Sequence, residues 1–113
     1  MRHVLSRNEI GTRLVGVVNE SFPSHVGMLV DTLFNAMVPA DELRIIGYEY
    51  GLETNEWSTQ RDMTTGELLE SPVVIGSEDR IGFTVTRINE ANGIISMDGG
   101  DPTIERKYIA EEE

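Results

Sequence analysis

Three extended runs separated by tight corners fill residues 11–39, GTRLVGVVNESFPSHVGMLVDTLFNAMVP, and constrain how the rest of the chain can fold. Leu14-Val15-Gly16-Val17-Val18 is a short apolar run rich in β-branched side chains, the composition of a strand touched on both faces. Gly16 within it fits a place where a closed sheet bends or another backbone passes close. Ser21-Phe22-Pro23-Ser24 is turn chemistry, because proline presets one dihedral and serine bonds neighbouring backbone groups. Val26, Met28 and Val30 then alternate with Gly27, Leu29 and Asp31, the period of two of a strand. A short third run ends at Pro39, which has no N–H to give to a ladder. The stretch predicts the opening β-meander of a small barrel.

The remainder reads less evenly. Ala40 to Leu43 is either a single helical turn or a loop. Arg44 to Tyr50 alternates, which predicts a strand with Ile46, Tyr48 and Tyr50 on one face. Gly51 to Asn55 turns, Glu56 to Arg61 returns as a strand, and Met63 to Gly66 turns again. Residues 40–79 therefore form a β-hairpin insertion, and Ser71-Pro72 opens the way back to the core. Arg80 to Ile88 is the clearest alternating strand, with Ile81, Phe83 and Val85 inward and Thr84 and Thr86 outward. Asn89 to Gly93 makes a hairpin turn to a partner strand at Ile94 to Met97. Asp98 to Pro102 is a further turn and Thr103 to Ile109 an edge strand. Residues 1–10 are an N-terminal arm and residues 110–113 an acidic tail. The whole chain has 113 residues and 12.6 kDa, so the stretch between them is one domain with one modest core.

Charge separates the chain into two parts. Residues 1–39 hold three acids and three bases, whereas residues 40–113 hold seventeen acids and six bases, so the whole net charge of -11 falls after the opening meander. A strongly acidic surface repels phosphates, and sequence-independent nucleic-acid binding depends on neutralising them. The balance argues against a stand-alone, tight RNA or DNA binder and suits an accessory role in a larger basic assembly or beside a basic protein partner. No stretch approaches the roughly 18 apolar residues of a membrane span, so no membrane partner is expected. The absence of cysteine removes disulfides and thiolate metal sites. Asn19-Glu20-Ser21 matches a glycosylation acceptor by chance, since no secretory signal precedes it.

Nothing in the chain has the spacing of a catalytic centre. His3 and His25 are the only histidines, which makes a zinc site improbable, and no cofactor is expected. Asp98 and Asp101 flank two glycines but lack the ligand register of a calcium loop. No phosphate loop, nucleophile elbow or triad order is present. The chain reads as a binding component, not an enzyme.

The series Val18-Asn19, His25-Val26-Gly27-x-Leu29-Val30 and Phe34-Asn35-Ala36-x-Val38-Pro39 resembles the OB-fold domain of the larger stalk subunit of RNA polymerase I. A looser frame, Gly11-Thr12, Gly16-x-Val18, Gly27 and Glu42-Leu43, is similar to RNA-binding OB domains of ribosomal proteins and polymerase stalks. Ile75 to Val85 echoes the "glycine, acid, apolar-x-Phe-x-Val" strand of the same domain. The resemblance implies an all-β, five-stranded OB barrel with the β-hairpin insertion between its third and fourth strands. It implies a non-catalytic part of the polymerase I stalk in the nucleus and nucleolus, active in the initiation of rRNA gene transcription. The partners it implies are other polymerase subunits, a small stalk partner, an initiation factor and, weakly, single-stranded RNA. In that family a separate domain precedes the OB fold, so this chain is either a fragment or a protein with the OB part alone. A free-standing RNA-binding OB protein and an OB-type interaction adaptor outside transcription are the alternatives.

OB folds stack single-stranded bases on aromatics beside a basic track. By resemblance that face falls on Phe22, His25, Phe34 and Asn35, with Arg13, Arg44 and Arg87 the nearest candidates for phosphate. Core packing is the competing role for Phe34, a barrel-rim position for His25, and a lid on the barrel bottom for Phe22. RNA-binding members often carry a basic or aromatic residue near the position of Pro39, which weakens an RNA grip here. In the insertion, Tyr48, Tyr50 and Trp57 either pack locally or form a partner surface, since aromatics dominate interface hot spots.

Overall fold

The alternation in residues 11–39 becomes three antiparallel strands, and the rest of the chain closes and decorates them. The chain's structure is a computed structural model that describes residues 10–62 and 65–105. In order these form β1 (Arg13–Ser21), β2 (His25–Val30), β3 (Phe34–Pro39), α1 (Ala40–Ile45), β4 (Glu49–Gly51), β5 (Glu56–Arg61), β6 (Leu68–Val74), β7 (Arg80–Ala91) and β8 (Ile94–Glu105). The strands β1-β2-β3-β8-β7 close into a barrel, and β4-β5-β6 make a separate three-stranded sheet. Only the β3–β8 pair is parallel. This is the five-stranded OB barrel, with its insertion between the third and fourth barrel strands.

The inward rows are those the alternation predicts. Val26, Met28, Val30 and Val38 from the meander, and Ile81, Phe83 and Val85 from β7, are all buried, with Val18, Ala36 and Met97 among them. Two glycines make the packing possible. A Cβ on Gly16 would lie 2.9 Å from Met28 Cβ and Sδ, so of the two roles that the sequence leaves open no second backbone takes the space; the Met28 side chain fills it. A Cβ on Gly99 would lie 2.5 Å from Phe83 Cδ2, so the phenyl ring rests directly on the β8 backbone.

Three expectations are corrected. The run Leu14 to Val18 is not covered on both faces: Val15 and Val17 point outward and are 46% and 40% exposed. Residues 40–45 are helical, and the strand expected over 44–50 shrinks to Glu49–Gly51. The alternation of Ile46 and Tyr48 arises instead from the turn leaving the helix, closed by Gly47 N–H to Arg44 O and Tyr48 N–H to Leu43 O. The hairpin insertion is present as expected and carries a third strand, β6, which pairs with β5 across a register shift. Finally, Asp98 to Pro102 is not a turn. β8 runs through it, still paired to β7, and the irregularity is absorbed as shifts in register. Thr103 to Glu105 therefore continues β8, while residues 106–109 of the expected edge strand, the N-terminal arm up to residue 9 and the acidic tail lie outside the described residues.

Local chemistry explains the corners. Asn92 and Gly93 both have positive φ, 55° and 80°, the two-residue type I′ turn that Asn-Gly favours between twisted strands. The β2–β3 corner adopts the same sign at Asp31 and Thr32, φ 54° and 56°, with β-branched Thr32 poorly suited to it. Helix α1 begins at Pro39, whose side chain cannot cap it, but Asp41 and Glu42 in the first turn and Arg44 in the last match its dipole. Its Leu43 is wholly buried under the barrel, and Glu42 Oε1 accepts from the Asp101 N–H at 2.9 Å, pinning the helix to β8.

Candidate binding face

The outer surface of β2, β3 and β8 carries an open trough of about 390 Å³. One wall is aromatic. Phe22 and His25 exchange backbone hydrogen bonds across the Pro23-Ser24 corner, and their rings lie 4.9 Å apart at 38°. His25 Nδ1 is 2.8 Å from Ser24 Oγ. Behind this wall, Trp57 of the inserted sheet is fully buried and donates from Nε1 to Phe22 O at 2.8 Å. The insertion thus holds the corner that shapes the trough.

Strand register sets the rest. Glu20 faces Gly27, Gly27 faces Met37, and Met37 faces Asp98, so these four side-chain positions form one row across β1, β2, β3 and β8. Arg87 on β7 extends the row beyond Asp98. The neighbouring row is polar: Asn35 faces Ser96, which faces Asn89. The lining therefore offers an aromatic wall, a glycine and a methionine on its floor, amides and a hydroxyl, and the carboxylates of Glu20 and Asp98. Among the described residues it contains no arginine or lysine.

The structure brings Phe22, His25 and Asn35 together on this trough. Phe34 is elsewhere: it shares the inward face of β3 with Ala36 and Val38 and packs, half-buried, against the core. The three arginines do not form a track. Arg13 stretches over Gly82 to Thr84 Oγ1, Asp101 O and Thr103 Oγ1, tying β1 to β7 and β8. Arg44 lies 5.7 Å over the Trp57 ring and reaches Asp41 at 3.4 Å. Only Arg87 borders the trough, and its Nε sits 3.9 Å from the Asp98 carboxylate. Asp98 and Asp101 likewise face different arginines, and no group of three or more His, Asp or Glu able to hold a metal occurs among the described residues.

Tyr48 and Trp57 are buried, and half-buried Tyr50 meets the Trp57 ring edge-on at 5.5 Å. The exposed surface of the insertion is instead made by glutamates, with Leu52 at its first turn and Leu68 at the start of β6. Sequence reasoning missed Met37, Asn89, Ser96 and Asp98 as neighbours of His25. No spacing in the chain relates them, because the β3–β8 pairing joins residues about sixty positions apart.

A closed barrel of this strand order, with a helix after its third strand packed on β3 and β8 and a trough over its second and third strands, defines an OB-fold protein. The match to a family model then gives the particular family. Residues 9–101 match the family described as the RPA43 OB domain in RNA Pol I, and the chain belongs to it. No individual curated protein matches the chain.

Proposed function

We propose that this chain serves as a non-catalytic OB domain of the RNA polymerase I stalk and acts in the initiation of rRNA gene transcription through protein–protein contacts. The single observation that carries this reading is the family match over residues 9–101, seated on a barrel of the matching fold. The partners it calls for are other polymerase subunits, a small stalk partner and an initiation factor, in the nucleolus. Contact with exiting RNA through Phe22, His25 and Asn35 takes second place. Stacking surface is present there, but the described lining residues include no arginine or lysine to supply the phosphate neutralisation on which such binding depends.

Affinity purification of the native, full-length protein at moderate salt tests the proposal. The expected result is co-purification of the large polymerase subunits. Recovery of RNA without polymerase would overturn it in favour of a free-standing RNA binder.

A further inference from the structure

We infer that the trough is a docking site for an extended, basic segment of a protein partner, with two cationic side chains flanking an apolar one. The inference deepens the protein-contact reading above by naming the chemistry of one contact. Its support is the row Glu20–Gly27–Met37–Asp98, which places a carboxylate at each end and an apolar floor between.

The dimensions make the partner specific. Glu20 and Asp98 are three strands apart, hence about 14 Å between their backbones at the usual inter-strand spacing. An extended chain covers that distance in about four residues, and its alternate side chains share one face. A segment crossing the strands therefore presents residues i, i+2 and i+4 to the trough. Positions i and i+4 meet Glu20 and Asp98, and position i+2 meets Gly27 and Met37. The predicted pattern is Lys/Arg-x-apolar-x-Lys/Arg.

Each remaining feature suits a peptide. Gly27 has no side chain, and Asn19 Oδ1 stands 3.4 Å from where its Cβ would be, so an amide oxygen is offered beside the floor to a peptide N–H. Asn35 and Asn89 each carry both a donor and an acceptor, and so can bond either group of a peptide backbone. Met37 is the adaptable apolar residue suited to varied side chains. Asp98, its own side chain 27% exposed, is held by a 3.9 Å contact to an arginine whose side chain is 71% exposed, so an incoming cation has a long pair to displace. Nucleic acid would meet the reverse: two carboxylates and, among the described lining residues, no arginine or lysine.

Arg87 separates the two ligand classes, because it stands at the edge of the site and its charge acts with opposite sign on each. The experiment titrates the purified full chain, without polymerase, with a labelled peptide carrying Lys-Ser-Leu-Ser-Arg. A same-composition peptide carrying Lys-Leu-Ser-Ser-Arg and a ten-nucleotide oligouridine serve as comparisons, and backbone amide shifts locate the contact. The expected result is perturbation at Gly27, Asn35, Met37 and Ser96, with the alternating peptide preferred. Glu20→Gln and Asp98→Asn should each weaken it about threefold, as loss of an exposed ion pair does. Arg87→Gln should strengthen it. Equal binding of the two peptides, shifts confined to the inserted sheet, or an oligouridine that takes the trough and is weakened by Arg87→Gln would each overturn the inference. Because no polymerase is present, such a failure leaves the stalk assignment to its own test.

Discussion

In the barrel every strand is paired on both sides, and the inward rows of β2 and β7 are almost sealed from water. In the inserted sheet, β4 and β6 are edges, and β5 alone sends side chains fully inward, at Trp57 and Thr59. Charge follows the same division. Residues 40–79 carry ten acids against two bases, a net -8 of the chain's -11, and most of these acids are exposed. A closed sheet can spend nearly all its inward positions on apolar packing because it has no edge to protect. An open one must keep its edges unattractive to other strands, and Glu49 on β4 and Glu70 and Pro72 on β6 do so. The difference teaches that the insertion is held by few contacts, of which Trp57 is the largest.

That comparison breaks most directly at Trp57. Trp57→Ala should cost about 3–5 kcal/mol, the range for truncating a buried aromatic. Denaturant unfolding should show one shifted transition; an unchanged barrel transition with a separately melted insertion would mean that the two regions do not share a core. Within the barrel, Gly99→Ala should cost about 1–3 kcal/mol, because the new methyl meets the Phe83 ring and the backbone on either side is paired. Chemical unfolding of this variant beside the wild type measures the loss, and no loss would show that the ring can move.

Smaller effects sharpen the contrast. Phe34→Ala should cost about 1–2 kcal/mol, less than full burial of a phenylalanine is worth, since the ring is only half covered. Equal stability would move Phe34 out of the core and back onto a binding surface. Thr32→Gly should stabilise by about 1 kcal/mol, since glycine takes the left-handed conformation without the penalty of a β-branched residue. A thermal melt lower than wild type would show that the Thr32 hydroxyl, bonded to Asp31 O, outweighs that strain. Last, Glu53→Gln and Glu70→Gln on the insertion should each change stability by less than about 0.5 kcal/mol, as exposed surface positions do. A larger change, fading with added salt, would reveal a charge network that the barrel shares.

Much of the barrel was legible because its signal is local. The β-branched runs, the alternation of Val26, Met28 and Val30, and the Asn92-Gly93 corner each state their structure within a few residues. The helix α1 was not decided by sequence, having six residues, no capping side chain and too short a span for a period to appear. The continuation of β8 through Asp98 to Pro102 was hidden for a related reason. Glycine, aspartate and proline together read as a turn, yet the paired β7 strand holds the segment extended and takes up the mismatch as register shifts. The candidate face divides likewise: Phe22, His25 and Asn35 carry visible stacking and hydrogen-bonding chemistry, whereas the positions beside them come from strands far along the chain.

By itself, then, the amino-acid sequence determined the strand-forming runs, the corners between them, the acidic second half and the residues that mark the family. These depend on side-chain chemistry and short-range periodicity, which a linear chain carries openly. Tertiary structure alone decided that Trp57 lies beneath the Phe22 corner, that Arg13, Arg44 and Arg87 are dispersed, and that Glu20, Gly27, Met37 and Asp98 share one row. Each of those outcomes depends on barrel closure and strand register, where the pairing of distant segments, and not the residues' own preferences, chooses the neighbours.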